Sequence, residues 1–180
     1  MTSSEDAGVS IEEDVMTGDG GGQQPPDNAK IANLLKQIAG MLEFQNENSF
    51  KIRAYQMAAE TIEATQLSIA EMVAQGGASG LQKIPGIGKG ISAQIVEIVQ
   101  TGQSDYFSEL TTKVPATVLD LRTVSGIGLK TAQLLYRDFG VKSLDDLHRL
   151  AEGDGLKSVP GLGEKTIARI KASLERKLER

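Results

Sequence analysis

Residues 81–100 read LQKIPGIGKGISAQIVEIVQ: a proline, two glycines flanking one isoleucine, and a lysine ahead of an apolar-periodic run. The same unit recurs. KIPGIGKGISAQIVEIV starts at Lys83, TVSGIGLKTAQLLY at Thr123 and SVPGLGEKTIARIKASL at Ser158, so the leading glycines, Gly86, Gly126 and Gly161, lie 40 and 35 residues apart. Spacing this uneven excludes a regularly stacked solenoid and fits a small module used three times. In each copy an apolar residue precedes Pro or Ser, Gly-apolar-Gly follows, and a helical pattern starts at once.

The unit has a specific physical meaning. Glycine on both sides of one apolar residue permits positive φ and removes the Cβ that would keep a ligand off the backbone. The helix that follows presents unbonded N–H groups and the positive end of its dipole, where a phosphate fits. Ile87, Ile127 and Leu162 are expected to point inward and pin the turn. Lys89, Lys130 and Lys165 stand in the first helical turn. A cation there opposes the dipole, and its placement three times over points to an anionic partner. The register is not identical: Lys89 follows Gly88 directly and precedes Gly90, whereas Leu129 and Glu164 intervene in the other copies. For any single copy, a purely structural turn between packed helices is the alternative.

The rest of the chain supports an all-α fold. Ile31, Leu34, Leu35, Ile38, Met41 and Leu42 recur at helical spacing. Phe50, Ala54, Tyr55, Ala58, Ala59 and Ile62 predict a second apolar face, and Ser68 is a candidate N-cap for a short helix carrying Ile69, Met72 and Val73. No stretch alternates β-branched and polar residues between hairpin dipeptides.

Composition narrows the function. With 180 residues there is room for one ordinary domain or two small ones. The absence of cysteine excludes disulfides and thiolate zinc sites, and one histidine, His148, leaves little for an imidazole metal cluster or a Ser-His-Asp triad. No membrane span or signal peptide is legible, so the expectation is a reducing, cytoplasmic setting, nucleoid-associated in a bacterium. The formal charge of −5 argues against nucleic acid only superficially. Residues 1–28 hold seven acidic residues and no Lys or Arg; without them 17 acids face 19 bases, a formal +2. That acidic, Gly-rich segment is expected to be disordered, serving as a solubilising leader or as a DNA mimic against the basic face.

The repeated unit resembles the helix-hairpin-helix motif, which implies DNA binding through backbone phosphates with little base reading. The resemblance extends further. NSFKIRAYQMAAETIE, LQKIPGIGKGISAQI, TVSGIGLKTAQLLYRDFGVKSLDDL and the third hairpin follow the order of parts in the N-terminal portion of family X DNA polymerases, the DNA polymerase beta relatives. This implies an 8 kDa-type domain that binds the 5′-phosphate of gapped DNA, often with deoxyribose-phosphate lyase activity, and a second part that contacts the duplex.

Carried over by position, Lys51 matches a phosphate-binding lysine and Tyr55 an active-site tyrosine, while Gly86, Gly88, Gly126 and Gly128 match the hairpin glycines. With Lys89, Gly90, Lys130, Gly161, Gly163 and Lys165 they form the expected phosphate-binding set. The family's hairpins also bind a monovalent cation, K⁺ or Na⁺, here through the main-chain oxygens of Gln82, Ile84 and Ile87 and of Arg122, Val124 and Ile127. The family's lyase lysine stands in the pattern PGIGKGIAEKI; this chain reads PGIGKGISAQI, with Gln94 in its place. An amide nitrogen cannot form the Schiff base, because its lone pair is delocalised into the carbonyl. Lys83, Lys89 or Lys51 could substitute only with a lowered pKa, and each reads more readily as a phosphate contact or a solvated charge. Gln56, Met57, Gln82 and Gln103 replace residues that are often basic in the family.

Nucleotidyl transfer is not expected, since it needs carboxylates clustered on two metal ions. Asp145 and Asp146 are adjacent on a helix opened by Ser143 and diverge, His148 has no evident partner, and Tyr106, Phe107 and Tyr136 read as core or boundary residues. The expectation is therefore two small helical subdomains, 29–103 and 104–180, built around three helix-hairpin-helix motifs after a disordered tail, 1–28. Such a chain binds gapped, nicked or duplex DNA in repair, alongside repair proteins. It needs no cofactor, membrane or small-molecule substrate and is more a binder than an enzyme. The alternatives are a lyase, the N-terminal part of a longer family X polymerase, and a protein-interaction scaffold.

Overall fold

The computed structural model describes residues 24–179; most of the acidic segment 1–28 lies outside them. The described residues form helices and contain no strand. In order these are α1 (Asn28–Phe44), α2 (Ser49–Ala64), α3 (Ile69–Leu81), α4 (Lys89–Thr101), α5 (Asp105–Lys113), α6 (Val118–Leu121), α7 (Leu129–Phe139), α8 (Leu144–Glu152), a 3₁₀ turn Gly155–Ser158, and α9 (Glu164–Leu178). The apolar stripe of α1 is used: Ile31, Leu35, Ile38, Met41 and Leu42 are completely buried and Leu34 partly so, and the helix packs most extensively against α2, whose Ala58, Ala59 and Ile62 are also buried. Ser68 caps α3 by accepting from the Glu71 N–H, as its position predicts. α3 is broken at Gly77, whose φ of +54° and ψ of −149° are not helical.

One expected core residue is misplaced. Phe50, read as part of the apolar face of α2, is 83% exposed. The buried stripe of that helix is Tyr55, Ala58, Ala59 and Ile62. Phe50 lies five residues before Tyr55, about 140° away around a helix, so it faces outward.

The C-terminal end of α1 gathers the following helices. The Gln133 amide of α7 donates to the Phe44 carbonyl (2.8 Å) and to Asn46 Oδ1 (3.1 Å), and the Phe44 ring meets Tyr136 edge-to-face at 5.7 Å. Gln45 donates to the Leu110 carbonyl at the end of α5. Gly40 leaves the space that Leu119 of α6 occupies, since a Cβ there would lie 3.3 Å from a Leu119 methyl. The Glu43–Arg122 ion pair, 2.5 Å long and about one-third exposed, adds little stability.

The three repeats fold alike. The Ile87, Ile127 and Leu162 N–H groups donate to the Ile84, Val124 and Val159 carbonyls at 3.1, 3.1 and 3.3 Å, closing four-residue turns. Gly86, Gly126 and Gly161 occupy the third turn position at φ +88°, +99° and +83°. That is the type II pattern, with glycine required third and proline favoured second. Pro85 and Pro160 follow the preference; Ser125 does not, for a reason visible in the packing. Its N–H donates to the buried Ser173 hydroxyl of α9 at 3.0 Å, a bond that proline cannot make. Gly126 also lies against α9, where a Cβ would come within 3.2 Å of Ile170. Ser125→Pro, although it copies the other repeats, is expected to lower stability by about 1 kcal/mol, because the lost hydrogen bond outweighs the unfolded-state stiffening. A urea denaturation curve with an unchanged or higher midpoint would contradict this account.

Candidate nucleic-acid interface

The second glycine of each unit does not use the positive φ that glycine permits. Gly88, Gly128 and Gly163 have φ of −85°, −93° and −81° with ψ near ±180°, an extended conformation open to any residue. Each is the N-cap of its helix. A Cβ at any of the three would meet nothing within 4 Å. Neither strain nor internal packing therefore demands glycine there, and the bare backbone faces open space.

Capping separates these helices from the others, apart from the four-residue α6 and the 3₁₀ turn, which also have no side-chain cap. Asp27, Asn48, Ser68, Ser104 and Ser143 cap α1, α2, α3, α5 and α8 with a side-chain oxygen. α4, α7 and α9, the helices behind the glycine turns, have no side-chain cap. Their first N–H groups remain available to an anion, reinforced by the helix dipole. Ile87 and Ile127 are buried and Leu162 half-buried, so each turn is pinned below its helix end. Lys89, Lys130 and Lys165 are exposed and form no ion pair with a described carboxylate. Lys89 is the first residue of α4; Lys130 and Lys165 are the second of α7 and α9, a position that Gly90 holds in α4.

Main-chain oxygens at the turns have spare capacity. The Ile84 and Val124 carbonyls each accept the turn hydrogen bond, and a carbonyl oxygen keeps a second lone pair. Among the described residues no group of three or more His, Asp or Glu side chains could hold a metal ion.

A separate cluster forms where α2 meets α5. Lys51 is exposed, with its Nζ 4.6 Å from the centroid of the Tyr106 ring. Tyr106 in turn stacks on Tyr55, ring centroids 6.1 Å apart and planes 21° from parallel. Tyr55 itself is only 5% exposed, so its ring offers no platform to a nucleotide. Burial, then the neighbouring Tyr106, pushes the Tyr55 phenol up to about 12, so it stays protonated near neutrality and is no general base there. Gln94, on α4, has its side-chain oxygen shut off from solvent without a hydrogen-bond partner. Phe50, exposed beside Lys51, is a candidate contact that periodicity concealed by assigning it to the core.

The acidic pair of α8 is a local brace. The Asp146 carboxylate accepts from the Lys142 N–H at 2.9 Å and from Arg149, while the Asp146 N–H donates to the Ser143 hydroxyl, and the bond from Lys142 contributes most to holding the carboxyl below the usual range. Asp145 points into solvent, and His148 Nδ1 lies 3.7 Å from Glu152 Oε1.

Comparison with known proteins bears on this geometry. Residues 26–104 match the helix-hairpin-helix domain family, and residues 118–176 match the SAM-like helix-hairpin-helix tandem. The chain is 30% identical over 144 residues to a DNA polymerase/3′-5′ exonuclease PolX from Bacillus subtilis (strain 168), covering 80% of this chain and 24% of that protein. It is 27% identical over 121 residues to a DNA nucleotidylexotransferase from Ambystoma mexicanum, covering 67% and 22%. A third relative, the Holliday junction branch migration complex subunit RuvA of Porphyromonas gingivalis (strain ATCC BAA-308 / W83), is 39% identical over 59 residues, covering 33% and 29%. The chain thus spans about a quarter of the length of the curated relatives it matches.

A serine at the uncapped positions separates the two demands on these helix ends. Gly128→Ser and Gly163→Ser are expected to raise folding stability by a few tenths of a kcal/mol each, because the hydroxyl caps amides now without a side-chain partner. The same change should weaken anion binding by occupying those amides. Urea midpoints and affinity for a phosphate polyanion, measured on the same samples, must move in opposite directions.

Proposed function

We propose that this chain, which carries helix-hairpin-helix domains over most of its length and is homologous to the N-terminal region of family X DNA polymerases, grips DNA at a strand discontinuity and positions it without itself performing the chemistry. It is a DNA-binding module of repair or maintenance. The observation that carries the reading is the threefold pairing of an uncapped helix end with a bare glycine turn and an unpaired lysine. Each such site receives one backbone phosphate through main-chain N–H groups. The affinity is then dominated by phosphates and depends steeply on salt.

Gap recognition is supported by a second kind of site on the first half of the chain. Lys51 presents a charge uncancelled by any described carboxylate, and Phe50 beside it exposes a ring able to stack on a splayed base. Hairpins on the far half hold the continuing duplex. In this reading the remaining carbonyl capacity at Gln82, Ile84 and Ile87, and at Arg122, Val124 and Ile127, takes a monovalent cation. Neutral oxygens suit an alkali ion, which would bridge them to a DNA phosphate. Replacing potassium with a bulky organic cation should then weaken binding.

Chemistry by the family's usual route is disfavoured because Gln94 offers an amide where a lysine would be needed. Borohydride treatment on a 5′-deoxyribose-phosphate substrate should trap no covalent adduct; an adduct would overturn the non-enzymatic reading. The decisive titration compares a duplex bearing a one-nucleotide gap and a 5′-phosphate with the intact duplex, at two salt concentrations. Preference for the gap is expected. Lys130→Glu with Lys165→Glu should weaken both complexes at least about tenfold and flatten the salt slope by about two, as two phosphate contacts are lost. Full DNA affinity in that double variant would turn the assignment toward a protein scaffold.

A further inference from the structure

The start of α2, the loop before it and α5 enclose a cleft of about 450 Å³, whose charged and aromatic lining is Glu47, Lys51, Tyr106, Glu109 and Lys113. Two lysines and two glutamates leave it with no net formal charge. Its attraction for an anion therefore depends on where each charge is held rather than on their sum. Lys51 is the side chain that decides this. Although Glu47 and Glu109 share the cleft, Lys51 pairs with no described carboxylate, and its ammonium sits instead over the face of Tyr106. The distinction matters because a ring face attracts a cation without cancelling its charge, whereas an ion pair would neutralise it. Tyr106 is not free to wander: it stacks on the buried Tyr55 of α2. The ring that holds the ammonium thus comes from α5, and its backing from the helix that carries the lysine.

We propose that Tyr106 is a positioning residue for Lys51, keeping its ammonium unpaired and away from Glu47 and Glu109 so that it meets a phosphate on DNA, most strongly the doubly charged monoester at a strand end. This rests on the reading of Lys51 as a phosphate contact.

The test uses two gapped duplexes that differ only in a 5′-phosphate or a 5′-hydroxyl, and reads the ratio of their affinities. The wild-type chain should favour the phosphate by about tenfold, the scale of one charge-assisted contact. Lys51→Ala should bring the ratio close to one. Tyr106→Leu should bring it within about twofold of Lys51→Ala and add nothing further in the Lys51→Ala background, whereas Tyr106→Phe, which keeps the ring face, should retain the full ratio. Affinity for the hydroxyl duplex should fall by less than affinity for the phosphate duplex in the Lys51→Ala and Tyr106→Leu variants. A purely structural role for Tyr106 is separated by adding Glu47→Gln and Glu109→Gln to Tyr106→Leu: with no carboxylate left to capture the ammonium, the ratio should recover. If the leucine variant melts early, Tyr106→Met packs on Tyr55 without a ring face and gives the same reading. A wild-type ratio in Tyr106→Leu or Tyr106→Met, or no recovery on removing the carboxylates, overturns the positioning role while leaving Lys51 as a phosphate contact. An unchanged ratio in Lys51→Ala overturns that underlying assignment and the proposal with it.

Discussion

A glycine held at φ between +83° and +99° is the constraint on which each repeat depends. In that region an L-residue would be strained, so the turn can close only where Gly86, Gly126 or Gly161 stands. Once it closes, the apolar residue behind it is drawn toward the core and the next glycine lands at a helix N-cap. The two glycines of the unit thus answer different needs. The first is required by backbone conformation, while the second has ordinary angles and an empty surrounding that only an external group could fill. A protein selecting for stability alone would place Ser, Asp or Asn there, as this chain does at five other helix starts. Leaving three helix ends uncapped forgoes that stabilisation where a ligand can supply the missing acceptor.

The end of α1 relates the repeats to one another. Its carbonyl and ring are used by α7 through Gln133 and Tyr136, while Gln45 reaches the end of α5. These contacts connect the helix that packs on the Lys51-bearing α2 with the elements leading to the second turn. Gln133 donates to a carbonyl at the end of α1 and Gln45 to a carbonyl of α5, directional bonds that fix orientation in a way that apolar contact alone would not. The third repeat is tied in by a different device, the Ser125–Ser173 bond and the close approach of Ile170 to Gly126. Loss of proline in the second turn is the sequence trace of that docking.

Much of this was legible in the sequence because it is local. The repeated Gly-apolar-Gly, the caps at Ser68 and Ser143, and the stripe of α1 each follow from spacing within one element. What escaped depends on partners distant along the chain. Phe50 satisfies the composition of a core position, and only the register set by Tyr55, Ala58 and Ile62 turns it outward. Tyr106 reads as a boundary aromatic, and nothing near it in sequence announces that its ring lies beneath Lys51. The conformational difference between the two glycines was hidden for another reason: glycine is compatible with both, so identity alone does not reveal which angle is used.

The acidic total of the chain and its inferred affinity for phosphates are compatible because the two quantities act at different distances. Net charge governs the field far from the surface, which salt screens within roughly 10 Å at ordinary ionic strength. Contact with a phosphate is governed by the few groups inside that distance: amides at a helix end, the dipole behind them, and a lysine whose charge no carboxylate cancels. Some basic residues are engaged with carboxylates, as in Lys36–Glu63, Arg122–Glu43 and Lys157–Asp154, whereas the three hairpin lysines form no such pair; what sets them apart from other unpaired basic residues is their place in the first turn of an uncapped helix. The third site carries its own moderation, since Glu164 starts α9 next to Lys165 and favours the same helix end that a phosphate would occupy. The first site lacks a lysine at the second helical position and has Gly90 instead, with nothing within 4 Å of where its Cβ would stand. The three turns therefore share a backbone and differ in charge: the first and second each have a lysine and no acidic residue in the first helical turn, at the first and second position respectively, while the third sets Glu164 beside its lysine.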